Sequence, residues 1–327
     1  MTILTVIEAV RDAMREEMVR DNNVLIMGED IGSRGGVFLA TDGFQKEFGE
    51  ERIIDTPLAE SSIVGIALGA AMSGMRPIAE IEFADFIWPT INQVVGEAAR
   101  VRYGTNGKLH APMVLRAPQG GGVRGGLYHS QSVEAIFAHT PGLKVVAPAT
   151  PFDAKGLLKS AIRDDDPVIF LEHKRTYRLV RGEVPDQEFT IPIGKGDVKR
   201  QGSDITVVTY GLMVHHCIEA ATDLASDGIS VEIIDLRSLR PIDFDLILAS
   251  VKKTGKILIV HEDNKILGVG AEVAALVSEK AFEYLDGPVM RLAGPEFPEM
   301  PFSPPLEEMY MVNSDKILSS IKQLITY

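Results

Sequence analysis

Residues 53–81 read IIDTPLAESSIVGIALGAAMSGMRPIAEI. The apolar pair Ile53-Ile54 ends in a polar turn with Asp55 and Pro57. An apolar pattern of helical spacing follows over 61–75, and a second short apolar run covers 77–81. A crossover helix leading into a strand of a parallel sheet accounts for this order. Working outward, the same alternation predicts first-half strands at 24–28, 77–81, 113–117, 143–147 and 167–172. Helices are predicted at 61–75, 86–103, 133–139 and 152–164. Between 178 and 204 the pattern is broken by Gly182, Pro185, Pro192, Gly194, Gly196 and Gly202, as in a connection between domains. It resumes with strands at 205–210, 231–235, 256–261 and 289–293 and helices at 213–225, 244–253, 270–284 and 315–325. A proline-rich run, 294–305, is expected to be extended. The strands are continuous apolar runs, so both sheet faces should be covered. The fold class is therefore α/β, with two domains that are each a mostly parallel sheet flanked by helices. The expected boundaries are 1–185, a linker at 186–203, and 204–327.

Length and composition agree with two domains: there are 327 residues, 45% of them hydrophobic, at roughly 150 residues per domain. With 33 Lys and Arg against 46 Asp and Glu, the formal charge is −13. No basic stretch could track a phosphate backbone, so nucleic acid is excluded as a partner. The lone Cys217 falls in an apolar helical pattern, as a packed core thiol in a reducing compartment would. The apolar run 63–75 carries Gly65, Gly69 and Gly74 and is too short to span a bilayer. The first residues have helical spacing and mixed charge, unlike a secretory signal. A cytoplasmic protein with no membrane association is expected.

Parallel sheets bind ligands at the carboxyl ends of their strands, and three places there carry candidate chemistry. Glu60 opens the helix after Ile53-Ile54. Ser61, Gly65, Gly69 and Ser73 then form a ridge almost without side chains, although each interior Gly costs about 1 kcal/mol against Ala. Such a ridge suits a second helix packed unusually close, whereas Glu60 alone could be no more than a favourable charge on the helix dipole. The second place is residues 120–126, GGGVRGG, which delivers Tyr128-His129-Ser130-Gln131-Ser132 to the next helix. This loop lacks the Gly-Lys-Ser/Thr ending of a P-loop. His129 is placed either for proton transfer or merely to hydrogen-bond its loop. The third is Phe83-Ala-Asp-Phe86, whose rings could stack on a heterocycle or serve the core. His110, His139, His173, His215, His216 and His261 show no zinc-ligand spacing.

The spacing of Glu60, Gly65 and Leu68-Gly69-Ala70 resembles the pyrimidine-side motif of thiamine diphosphate enzymes. Together with GGLYHSQSVEAIFAHTPGLKVVAPATPFDAKGLLKSAIRDDDPVIFLEH and DLRSLRPID, the chain is similar, from about Thr5 onward, to the beta subunits of the decarboxylating component of 2-oxo acid dehydrogenase complexes. The resemblance implies a thiamine diphosphate pyrimidine-binding domain followed by a transketolase C-terminal-like domain. It implies that Glu60 hydrogen-bonds the aminopyrimidine ring nitrogen, that Phe86 stacks on that ring and that Leu58 lines the pocket. His129 would act as an acid while the acyl group moves to lipoyl. It further implies a potassium ion near Met113, Ala161, Asp164 and Asp166, although Asp164-Asp165-Asp166 also reads as a solvated turn.

The family's diphosphate motif begins Gly-Asp-Gly, which this chain does not contain; Gly196-Asp197-Val198 is its nearest approach. Mg2+ and diphosphate are therefore expected on an alpha subunit, in an alpha-two beta-two heterotetramer whose sites lie between chains. From His261 onward there are 11 acidic residues against 5 basic ones, which suits the use that the resemblance implies for the C-terminal domain, docking of a basic domain of the acyltransferase core, with Asp286 and the Tyr327 carboxylate as candidates. An acidic surface that only maintains solubility is the alternative. Tyr128-His-Ser-Gln-Ser and the 38–44 region look most like enzymes acting on 3-methyl-2-oxobutanoate in branched-chain amino acid degradation. Pyruvate and acetoin dehydrogenases remain alternatives. A self-sufficient transketolase-like enzyme conflicts with the missing motif, and a purely docking subunit would need neither Glu60 nor His129.

Overall fold

The computed structural model describes residues 1–298 and 300–327. The chain divides into two compact units, Met1–Gln119 with Ile136–Ile193, and Gly120–Ala135 with Gly194–Tyr327.

In the first unit the elements are β1 (Thr2–Thr5), α1 (Val6–Arg20), β2 (Val24–Gly28), α2 (Phe44–Phe48), β3 (Ile53–Asp55), α3 (Glu60–Met72), β4 (Arg76–Glu80), α4 (Val101–Gly104) and β5 (Val114–Gln119). There follow α5 (Glu134–His139), whose first residues belong to the second unit, then β6 (Lys144–Val146), α6 (Pro151–Arg163), β7 (Val168–His173), α7 (Thr176–Leu179) and β8 (Arg181–Val184). Six strands run parallel in the order β6-β7-β5-β4-β2-β3. Strands β1 and β8 form a separate antiparallel pair. All five residues of β2 and all six of β5 and β7 are buried, as expected of strands covered on both faces.

Helix α1 shows how sequence sets this core. Thr5 caps it in a reciprocal box with Glu8, which satisfies two backbone donors at once. Val6, Val10, Ala13, Met14 and Met18 recur on one face and are buried. Along its flank α6 presents Lys155 and Lys159, buried yet paired: Lys155 binds Asp12 and Glu16, and Lys159 binds Glu16 at 2.6 Å and Glu188.

The second unit contains β9 (Asp197–Arg200), β10 (Ile205–Thr209), α8 (Met213–Ser226), β11 (Val231–Asp235), β12 (Ser238–Arg240), α9 (Phe244–Thr254), β13 (Ile257–Asn264), α10 (Val269–Lys280), β14 (Met290–Gly294), α11 (Pro304–Tyr310) and α12 (Ser314–Ile325). Its five-stranded sheet has the order β14-β13-β10-β11-β9, parallel except for β9. The core contains Cys217, whose thiol burial pushes up to about 12. That keeps the sulfur an inert apolar filler.

Four sequence expectations change. The helix expected over 86–103 is a succession of 3-10 and π turns that regularises only at α4. Pro89 lies in its first turns and has no N–H to donate. The break at 178–204 holds two short strands, β8 and β9, whose polar, partly exposed residues carry no apolar run. The proline-rich run is helical from Pro304, because prolines fit the first turn of a helix, where no donor is needed. Finally, residues 120–135 pack with the second unit rather than with the sheet from which they emerge.

Candidate active site

In the first unit the chain passes from β2 to β3 on one side and then returns to β4 on the other. This reversal makes the β2/β4 boundary the switch point, where a doubly wound sheet leaves a crevice at its strand ends. Acidic side chains meet there. Glu29 directly follows β2, Glu82 lies just beyond β4, and Glu60 is the first residue of α3. Burial first, then the charges of Glu60 and Glu82, push the Glu29 carboxyl up to about 7. Glu82 is raised too, by burial and then by Asp30, Glu80 and Glu60. Buried without a partner are Glu29 Oε1 and Thr56 Oγ1, an arrangement that normally signals an unmade contact. Sequence reading missed Glu29 and Glu82. The available signal was an acid just beyond each of two apolar strands.

Beside these acids stands an aromatic cluster. Phe83 meets Phe86 edge-on at 6.0 Å and Phe38 at 5.6 Å, and Phe38 meets Tyr177 at 5.0 Å. Phe86 is half-buried, whereas Leu58 is 79% exposed. Beneath lies a buried charge network. Arg116 on β5 grips Glu172 on β7 through Nε at 2.7 Å and Nη2 at 2.6 Å, and donates from Nη1 to Glu80 on β4 at 2.5 Å. The Tyr177 hydroxyl donates to the same Glu172 carboxylate. These bonds tie three neighbouring strands, β4, β5 and β7, together.

Among the described residues the glycine ridge of α3 is not closely packed. A Cβ on Gly69 would meet nothing within 4 Å, and one on Gly65 only Gln93 Cγ at 3.5 Å. Ile66 on the same helix is 58% exposed. Packing within this chain therefore does not explain the glycines.

In the second unit the chain likewise reverses, between β10 and β13. Their carboxyl ends bring together Tyr210, His261, Glu262 and Asp263, all buried. The Tyr210 ring lies at 10° to that of His261 with centroids 6.1 Å apart, and its hydroxyl donates to Glu134 at 2.8 Å. Burial drives His261 down to about 4. Burial and the neighbouring Glu134 drive Asp263 up to about 8. Residues 120–135 sit on these groups, and His129, half-buried, projects from that segment.

The sequence matches two domain families over most of its length: the transketolase pyrimidine-binding domain over residues 3–180 and the transketolase C-terminal domain over 194–317. It is 56% identical to the 2-oxoisovalerate dehydrogenase subunit beta of Bacillus subtilis, with all 327 residues aligned and both chains fully covered. The chain belongs to the beta subunits of the 2-oxo acid dehydrogenases. Pyruvate dehydrogenase E1 beta subunits of Bacillus subtilis and Staphylococcus aureus are 48% and 46% identical over the same full length. A split-gene transketolase, solved as an inactive beta4 tetramer, shares the fold at a TM-score of 0.80 with 23% identity, over 99% of this chain and 98% of that one.

As a 2-oxo acid dehydrogenase beta subunit the chain is the oxidoreductase component of a thiamine diphosphate-dependent enzyme and works in complex with an alpha subunit. Of the residues singled out in the sequence, Glu60, Leu58 and Phe86 all lie in the first unit, with Glu60 at the switch-point crevice. Asp164 and Asp166 are already engaged. Lys144 Nζ donates to both Asp164 oxygens at 2.7 Å, and Arg102 Nε donates to Asp166 at 2.5 Å. The carbonyls of Met113, Ala161 and Asp164 accept from Val168 N, Asp164 N and Arg76 Nη1. Among the described residues no three His, Cys, Asp or Glu side chains converge as a metal site. Gly287, next to Asp286 in the chain, lies against Tyr327: a Cβ on it would stand 3.3 Å from that of Tyr327. No described helix is long and apolar enough to cross a membrane.

Proposed function

We propose that the chain, paired with an alpha subunit in an alpha-two beta-two heterotetramer, catalyses oxidative decarboxylation of a branched-chain 2-oxo acid and acylates the lipoyl group of an acyltransferase core. The observation that carries this reading is Glu60 at the start of a helix, facing a crevice with orphaned acceptors at Glu29 and Thr56, in a chain without a diphosphate motif. Glu60, Phe86 and Leu58 suit the aminopyrimidine end of thiamine diphosphate: an acid for the ring nitrogen, an aromatic face and an apolar wall. Bound there, thiamine diphosphate supplies the nucleophilic carbon and the electron sink for decarboxylation.

Glu60 would hydrogen-bond the pyrimidine nitrogen from the first turn of α3. Arg116 and its two glutamates tie β4, which leads into Phe83 and Phe86, to β5 and β7. His129 delivers a proton during transfer to lipoyl. Mg2+ and the diphosphate fall to the alpha subunit, whose helix would cross the bare ridge of α3. A potassium ion at Met113, Ala161, Asp164 and Asp166 rests on the resemblance alone. Both carboxylates and the carbonyls of Met113, Ala161 and Asp164 already have partners within the chain, and no step runs through it. The acidic surface carrying Asp286 and Tyr327 would receive the acyltransferase core, in the cytoplasm.

The test is co-expression with the alpha subunit and comparison of 3-methyl-2-oxobutanoate with pyruvate. The expected preference in kcat/KM is about tenfold or more, since added methyl groups in a fitted pocket discriminate by roughly 10- to 200-fold. Equal rates would refute the substrate assignment. Glu60→Ala should lower decarboxylation by at least about a hundredfold with the tetramer intact; near-normal carbon dioxide release would remove Glu60 from the mechanism.

A further inference from the structure

In the second unit the switch-point crevice between β10 and β13, where such a sheet ordinarily receives a ligand, is filled by the chain's own segment 120–135. Two carboxylates hold the glycine-rich part of that segment through its backbone. Glu262 Oε1, at the end of β13, accepts from Gly121 N at 2.5 Å. Glu307 Oε1, on α11, accepts from both Gly122 N and Arg124 N at 3.0 Å. Gly122 and Arg124 have φ of 76° and 59°, so the two amides turn toward one oxygen.

The glycines make this seat possible. A Cβ on Gly121 would strike Met300 and Met311, and one on Gly126 would lie 2.9 Å from Phe302 Cδ2. Gly125 lets the chain fold back on the histidine itself, since a Cβ there would stand 2.8 Å from His129 Cβ. Glu307 is only 6% exposed. Its buried carboxylate, bound by two amides, is a stronger acceptor than a neutral group would be.

We infer that Glu307 is a positioning residue for acyl transfer, holding the 120–126 loop so that His129 is presented in a fixed place. This rests on the role proposed above for His129. Glu307 touches neither substrate nor cofactor; it acts through the loop backbone. The glutamate near the end of the second domain is thereby linked to a step that the first domain's Glu60 does not perform.

The experiment uses the reconstituted heterotetramer with 3-methyl-2-oxobutanoate. It compares decarboxylation, followed with ferricyanide as acceptor, with acylation of a lipoylated domain. Glu307→Ala is expected to lower acylation about tenfold relative to decarboxylation and to speed amide exchange in the 120–126 loop about tenfold, the scale of a lost charged hydrogen bond. Glu307→Gln keeps a carbonyl oxygen for both amides and should restore most of the transfer rate. Glu307→Asp, which withdraws the oxygen by one methylene, should fall between and covers the case in which the alanine variant fails to fold. Unchanged loop exchange, or equal loss of both steps, overturns the inference. His129→Ala is measured alongside. If it leaves acylation untouched, the role of His129 falls instead; if it slows acylation and the Glu307 variants do not, the positioning role falls alone.

Discussion

Replacement of Gly69 separates what α3 does within the chain from what it does for a partner. The position is in the last turns of the helix, is exposed, and leaves open space around an added Cβ. Gly69→Ala and Gly69→Leu should therefore stabilise the isolated chain. The helix-propensity difference is about 0.8–1 kcal/mol, which for a domain of this size corresponds to about 2–4 °C in Tm. Assembly should respond in the opposite sense. A leucine placed between two closely crossing helices overpacks the contact, at about 1–3 kcal/mol, or roughly a 5- to 150-fold loss in association constant. Differential scanning calorimetry of the chain alone and sedimentation of the mixture with the alpha subunit read the two effects separately. A destabilised isolated chain would mean that the glycine is needed internally. Unaltered assembly of the leucine variant would refute the crossing helix.

Two further outcomes follow from buried charge. Arg116→Met leaves Glu80 and Glu172 facing each other without a cation, and should cost about 3–5 kcal/mol in urea unfolding; Arg116→Met combined with Glu172→Gln should recover part of this, and a loss below about 1 kcal/mol for the single variant would show that the network holds nothing. Asp263 is raised from its ordinary 3.8 to about 8, so the folded chain keeps a proton there that the unfolded chain releases above pH 4. Its contribution to folding is most favourable below pH 4 and is lost as pH rises toward 8. Asp263→Asn should therefore gain stability relative to the parent between pH 5 and pH 8, and a difference that does not change with pH would contradict the assignment.

The parallel sheets were legible because their strands are uninterrupted apolar runs: 24–28 and 231–235 coincide with β2 and β11. The strand-to-helix junction at Glu60 was legible because an apolar pair and a polar turn precede glycines that a helix does not otherwise favour. The irregular turns at 84–104 were not legible, since apolar spacing there suits any helical winding and only the position of Pro89 hinted at a break. Nor were β8 and β9, whose residues are polar enough to read as loop.

Sequence by itself determined the α/β alternation, the family and the lack of a diphosphate motif, because each is written in local pattern or contiguous motif. Tertiary structure alone decided which unit holds the histidine loop. Gly121, Gly122 and Arg124 are bound by Glu262 and Glu307, more than 140 residues further along the chain, and no local periodicity records a backbone amide's distant acceptor. It also placed Glu29 and Glu82 beside Glu60, since side chains separated along the sequence meet only when strand order sets β2 against β4.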